Sequence, residues 1–258
     1  MNNSIKKFAM LCFLFIAVIT VPAVNAQKEG ERDPGYIFYK ANALYEDGQY
    51  DKAINVYTGL RDQGLESGNL YFNIGNSYFK KGELGKAILN YERANKLIPG
   101  DSDLKSNYDF ALSKVKNMVP VKSVPFQKKV LNLYQSLSIN DMTILLSISY
   151  IVVLSFIYIF FIFNPGIKHR YIFTISLLIF FLISFYALSD RISSINREAI
   201  LISESADAKF EPVEKATIHY TVHEGEKIYI VQEKKGWLKV RRQDGKIGWI
   251  KKADSEII

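Results

Sequence analysis

The side chains whose type and spacing suggest a task are amides and aromatics. Asn42, Asn73 and Asn76 lie among Phe38, Tyr45, Phe72 and Phe79. An amide donates and accepts at once, which suits it to holding a peptide backbone. Groups for bond-making chemistry are poorly placed. The acid pairs Glu31/Asp33 and Glu224/Glu226 fall in polar loops, where solvation is the default. His219 and His223 stand four apart with no cysteine and no third histidine near them, so no metal centre is expected. Phosphate loops, nucleophile elbows, zinc-peptidase helices and dinucleotide fingerprints do not occur. The expectation is a binding protein, not an enzyme, with no cofactor and no metal.

The amides sit in a repeat of period 34. Ala41 pairs with Gly75, Gly48 with Gly82, Ala53 with Ala87 and Tyr57 with Tyr91. Small residues at 75 and 87 suit a close approach of two helices, with Tyr78 and Tyr91 filling the space between them. Gly82 ends the first helix of the copy, and Pro99 cannot continue the second. With these features the second copy, Tyr71 to Ala94 followed by Pro99, resembles the tetratricopeptide repeat. The module is expected over 27–118, with repeats at 34–67 and 68–101 and a capping helix at 102–117. Asp101 or Ser102 can cap that helix, and Leu104, Tyr108, Ala111, Leu112 and Val115 form its apolar stripe.

The resemblance implies a peptide groove on the face of the first helices, carrying Phe38, Asn42, Tyr45, Phe72, Asn73, Asn76 and Phe79. Asn42 and Asn73 stand where peptide-binding members use two asparagines. The basic residues of a carboxylate clamp are replaced by Phe38, Asp103 and Asn107. The alternative is that the asparagines are solvated helix positions and the aromatics are packing. An array of two repeats and a cap is short, so it is expected to be marginal when isolated.

The 258-residue chain is 48% hydrophobic and 23% charged, and its apolar residues are concentrated in three uncharged runs. Residues 1–26 read as a signal peptide: Lys6 and Lys7, an apolar run from Phe8 to Val21, then Val24-Asn25-Ala26. The sole cysteine, Cys12, follows Leu11, where lipidation would want a small residue. Residues 142–163 and 171–188 are expected to be transmembrane helices. The loop 164–170 holds Lys168, His169 and Arg170 without an acid, which favours the cytoplasmic side. Residues 119–141 read as a linker with an amphipathic piece at the membrane surface. The net charge of +7 is spread over the segments and partly flanks apolar runs. It argues for membrane topology rather than nucleic-acid binding.

After Leu188 short β-rich runs appear at 199–202, 216–222, 227–232, 238–242 and 247–250. Turn signals at Glu224-Gly225, Lys235-Gly236 and Asp244-Gly245 separate them. Val222-His223-Glu224-Gly225, Gly236-Trp237 and Gly248-Trp249-Ile250 make residues 198–258 resemble a bacterial SH3 domain. Phe210-Glu211-Pro212 replaces a serine- and glycine-rich turn common in such domains. Eight basic residues fall between Lys234 and Lys252, against one acid, Asp244. They read either as a patch for an anionic partner or as a solvated strand face.

The fold class is therefore a multidomain membrane protein: an all-α tetratricopeptide array, two transmembrane helices and a small all-β SH3-like barrel. This order, with the closing Gly248 to Ile258 segment, resembles the BatE family of the bacterial aerotolerance operon. The resemblance implies an inner-membrane protein with both folded domains on the periplasmic side. Its implied partners are other Bat proteins with von Willebrand A-type domains, and a MoxR-type ATPase. The leading functional expectation is a scaffold binding protein partners through the repeats and the barrel. The alternative is a module tethered to peptidoglycan through the barrel. A third reading has the two outer domains binding each other.

Overall fold

The computed structural model describes residues 33–116, 136–159, 170–194 and 197–258. The signal segment 1–26, the greater part of the linker 119–141, the end of the first apolar run and nearly all of the loop 164–170 lie outside the described residues. The chain divides between Ile37 and Phe38 into two units. Of the first, Asp33–Ile37 is described. It opens helix α1, and Asp33 Oδ1 accepts from the Gly35 N–H at 3.2 Å. Apart from that first turn of α1, everything below belongs to Phe38–Ile258.

Five helices form the repeat region: α1 Pro34–Glu46, α2 Tyr50–Asp62, α3 Gly68–Lys81, α4 Leu84–Leu97 and α5 Ser102–Leu112. Local chemistry sets their ends. Ser67 accepts from the Leu70 N–H and starts α3. Gly82, at φ +81°, closes it in the left-handed conformation that a glycine adopts without steric cost. Asp101 caps α5 at 2.8 Å, deciding between the two candidate caps. Ala41, Ala53, Tyr57, Leu60, Leu70, Ile74, Ala87, Ile88, Tyr91, Ala94, Leu104 and Ala111 fill the core. The expected capping helix stops at Leu112 rather than 117. Lys114 and Val115 donate to carbonyls three residues back, which tightens the chain out of the α-helix.

Two further helices, α6 Ile139–Ile157 and α7 Arg170–Ser194, are long and apolar enough to cross a membrane by length and composition. A capping box between Ser138 and Asp141 starts α6. Only 17% and 6% of their apolar windows are buried, whereas a core helix of a soluble domain would be mostly covered. The helix α7 continues past the uncharged run and carries Asp190 and Arg191 in its last turns.

Seven antiparallel strands follow: β1 Glu198–Leu201, β2 Ser205–Lys209, β3 Ile218–His223, β4 Lys227–Lys234, β5 Trp237–Arg241, β6 Ile247–Lys251 and β7 Ser255–Ile257. Their order is β3-β2-β6-β5-β4-β1-β7. Leu201, Tyr220, Val222, Ile228, Leu238, Val240 and Ile250 form the core with three alanines. The Lys235-Gly236 turn has positive φ at both residues, as a two-residue hairpin with the strands' twist requires. Strand β2 has no counterpart among the expected runs, and the expected start of β3 at Ala216 moves to Ile218. The inward residues of β2 are Ala206 and Ala208, which carry little β-propensity. They are small because a Cβ on Gly248 would already lie 2.9 Å from the Ala208 Cβ.

Helices α3 and α4 approach closely at Gly75. An added methyl there would meet the Tyr91 ring at 2.7 Å and the Ala87 carbonyl at 3.2 Å. Gly75→Ala is expected to cost about 1–3 kcal/mol through overpacking, read as a lower denaturant midpoint of the purified full chain.

Candidate functional site

Two asparagine–tyrosine clusters line the face of the first helices, and they repeat with the period of the sequence. In the first, Asn42 Oδ1 accepts from the Tyr57 hydroxyl at 2.6 Å and from Asn73 Nδ2 at 3.0 Å. In the second, Asn76 Oδ1 accepts from the Tyr91 hydroxyl at 2.8 Å and from Asn107 Nδ2 at 3.0 Å. Each residue of the second cluster lies 34 positions after its counterpart. Burial drives these phenols toward their neutral donor form, raising Tyr57 to about 12 and Tyr91 further.

The clusters tie the asparagines to the tyrosines behind them. The oxygens of Asn42 and Asn76 take two donors each, and Asn73 and Asn107 each give an N–H to them.

Of the seven expected groove residues, all lie on α1 or α3. Asn42 and Asn73 are joined to each other, and Asn76 belongs to the second cluster. Phe38 packs on Tyr57 at 5.6 Å, Phe72 on Tyr91 at 6.1 Å and Tyr45 on Tyr50 at 5.5 Å. A cleft of about 290 Å³ gathers Tyr45, Asn76, Phe79 and Tyr91 with Asn107 and Phe110 of α5. Phe110, more than half exposed, meets Phe79 edge-on at 5.6 Å. It was absent from the expected set. The 34-residue offset does reach it, since positions 42, 76 and 110 form one column, but asparagine gives way to phenylalanine there.

The opposite face of the array is occupied. Helix α4 packs its outer side on the barrel. Gly85 donates its N–H to Glu224 Oε1 at 2.8 Å, and a side chain there would strike the Leu201 carbonyl. Gly225, at φ +80°, lies against Ile88 and Val115 with no room for a Cβ. Arg93 donates to Glu256 Oε1 at 2.9 Å and to the Ile257 carbonyl at 2.8 Å. Lys227 lies 3.2 Å from both Glu92 and Glu198. Glu92 is buried and also accepts from the Tyr108 hydroxyl at 2.5 Å. Burial works against the charge on Lys227, but Glu92 and Glu198 outweigh it and its pKa rises above the ordinary lysine value. Lys96 lies farther out, 3.8 Å from Glu198, and burial pulls its pKa down. Burial likewise raises the Tyr108 hydroxyl, helped by the charge of Glu92.

On the barrel, Trp249 is buried and Trp237 half-buried, so the first is packing. Three of the eight basic residues are paired: Arg242 with Asp244, Lys251 with Glu214 and Lys252 with Glu233. His219 stacks on Phe210 at 4.5 Å, and its Nδ1 lies 3.1 Å from the Ile247 carbonyl. Among the described residues no cluster of histidines, cysteines and acids could hold a metal ion.

Residues 68–101 match the family model of the tetratricopeptide repeat, and residues 210–254 match that of the bacterial SH3 domain. The chain carries both modules. No curated protein matches it. Both modules point to protein partners, and the SH3 domain also to the cell wall.

The junction between the modules rests on Lys227. In Lys227→Met, Glu92 and Glu198 lose the cation between them and remain partly desolvated. The expected loss is about 3 kcal/mol, measured as a lower denaturant midpoint of the full chain, with faster amide exchange along α4. Lys227→Arg keeps the charge and is expected to lose much less.

Proposed function

We propose that this chain is a membrane-anchored scaffold that holds a protein segment in the groove of its tetratricopeptide repeats. The observation that carries the reading is the division of faces. The SH3 domain covers the outer side of α4, and the groove is left open with its amides oriented and Phe79 and Phe110 presented. Aromatics in a concave site supply apolar area at low entropy cost, and the amides fix the register of a backbone.

The two apolar helices serve as the anchor. The junction joins residues that precede those helices to residues that follow them, so any number of crossings between must be even. This favours both folded modules on one side of the membrane. With an export signal at 1–26 and a basic loop at 164–170, that side is periplasmic in this reading. The order of modules fits a place in a Bat envelope complex of the inner membrane, with von Willebrand A-type Bat proteins as partners of the groove. The second reading, a tether to peptidoglycan, is favoured by one observation: Phe210, Val213, Ile218 and Ile247 are exposed together on the SH3 domain.

A photo-crosslinking amino acid at Phe110 or Phe79, in the full chain in cells, is expected to capture a defined protein. The same probe at Phe210 is expected to capture none. Capture at 210 alone, or of wall polymer there, would favour the tether.

Topology has its own test. In a Cys12→Ala background, cysteines at Asp62, Lys168 and Lys235 report the side each segment faces. Asp62 and Lys235 are exposed. A membrane-impermeant thiol reagent applied outside is expected to label 62 and 235 but not 168. The reverse pattern overturns the proposed sidedness.

A further inference from the structure

The basic hairpin between β4 and β5 has no role in the groove or in the junction, and its place in the fold suggests one. Strand β1 begins just after α7, and β4 lies antiparallel to it, Glu198 facing Tyr229 and Ile200 facing Lys227. Beyond Tyr229, β4 therefore turns back along the last turns of α7. The cleft between them is lined by Asp190 and Ser193 on the helix and by Tyr229 to Glu233 on the strand. From Tyr229 to Lys234 the strand advances about 16 Å. From Ser194 back to Leu188, where the uncharged run ends, the helix covers about 9 Å. Asp190 and Glu233 line one cleft, so the hairpin tip lies close to the turn of α7 just past Leu188, where the uncharged run ends.

The chemistry at that tip suits a membrane surface. Val231 to Gly236 are all exposed, and Val231 shows 55% of its surface. Lys234 and Lys235 meet no carboxylate among the described residues, while the nearby Glu233 is held by Lys252 at 2.7 Å. Trp237, paired with Lys234 across the hairpin, is half-buried with Lys209 over its ring. An amphipathic aromatic beside paired lysines is the composition that settles at the headgroup layer.

We infer that the β4–β5 hairpin docks the SH3 domain onto the anionic headgroups of the same membrane that holds α7, through Lys234, Lys235 and Trp237. This rests on the reading that α7 spans that membrane. The contact would hold the domain, and the repeats fixed to it, at a set height above the bilayer. Of the six remaining basic residues, Arg242, Lys251 and Lys252 are held in ion pairs, and Lys239 and Arg241 lie over aromatic faces.

The test uses the full chain reconstituted in vesicles of phosphatidylcholine, with or without phosphatidylglycerol. Trp237 and Trp249 are the two tryptophans, so Trp249→Phe leaves Trp237 as the sole reporter. A nitroxide on the lipid headgroup is expected to quench Trp237 in the anionic vesicles. Lys234→Glu with Lys235→Glu should relieve the quenching, since each lysine near an anionic surface shifts local partition by about fivefold. Should Trp249→Phe fail to fold, a spin label at Gln232→Cys, exposed on the same hairpin, in a Cys12→Ala background reads the depth with both lysines kept. Alkaline extraction of the vesicles separates the two ideas. If the chain is released, α7 is not a span, and both readings fall. If it stays bound and Trp237 is equally unquenched with and without phosphatidylglycerol, the docking is wrong while the span stands. Binding of the hairpin to wall polymer in place of quenching also overturns it.

Discussion

Lys227 sits between Glu92 of the repeats and Glu198 at the start of the barrel, and the arrangement of the whole molecule follows from that contact. Taking three charges partly out of water is costly unless each has partners. Here each does: Glu92 has Lys227 and the Tyr108 hydroxyl, and Glu198 has Lys227 with Lys96 farther away. Arg93 adds a second anchor at β7. Such a junction specifies one orientation rather than a greasy range of them. It also joins segments that flank the two apolar helices, so the stretch carrying those helices becomes a loop closed by its folded ends.

The same junction decides which face of the repeats can work. Helix α4 is committed to the barrel, leaving α1, α3 and α5 to form the open face. There the tyrosines do two jobs. Their rings fill the space between the helices of each repeat, and their hydroxyls pin the amide oxygens of Asn42 and Asn76. The asparagines thus serve structure and presentation together. Removing Asn42 would leave a buried tyrosine hydroxyl without its acceptor, so its effect on binding cannot be separated from its effect on packing. Asn107 and Phe110 touch fewer core groups and are cleaner probes of the groove.

Much of this was legible in the residues. The period of 34, the glycine at 82, the proline at 99 and the Asp-Gly and Lys-Gly turns carry strong local signals, because backbone geometry admits few residue types there. Strand β2 was silent because Ala206 and Ala208 are chosen for tight contact with Tyr220 and Gly248, not for β-propensity. The junction was silent for a different reason. Glu92 and Lys227 are 135 positions apart, and each alone reads as a solvated surface charge. Gly225 reads in the sequence as a turn residue, and Gly85 gives no signal of its own. Their shared purpose, removing side chains from a contact between modules, needs three dimensions to appear. The asparagine clusters lie between these cases: their period is visible in the sequence, but their bonds to the tyrosines behind them are not.

Size explains why the modules are fused so tightly. A domain of some sixty residues buries a smaller fraction of its surface than a larger domain does and is marginal by itself. Two repeats and a cap have few neighbour interfaces and face the same difficulty. Each has one side that the other covers: the outer side of α4 on the array, and the β1–β7 edge with the 223–227 turn on the barrel. Docking covers both at once, as a third repeat would do for the array and a covering element for the sheet edge. The cost is that neither of these surfaces remains for an external partner. What remains is the groove, the β4–β5 hairpin beside α7, and the exposed Phe210 patch. The ionic contact at Lys227 is thus what divides the two-module body into a covered face and separate free ones.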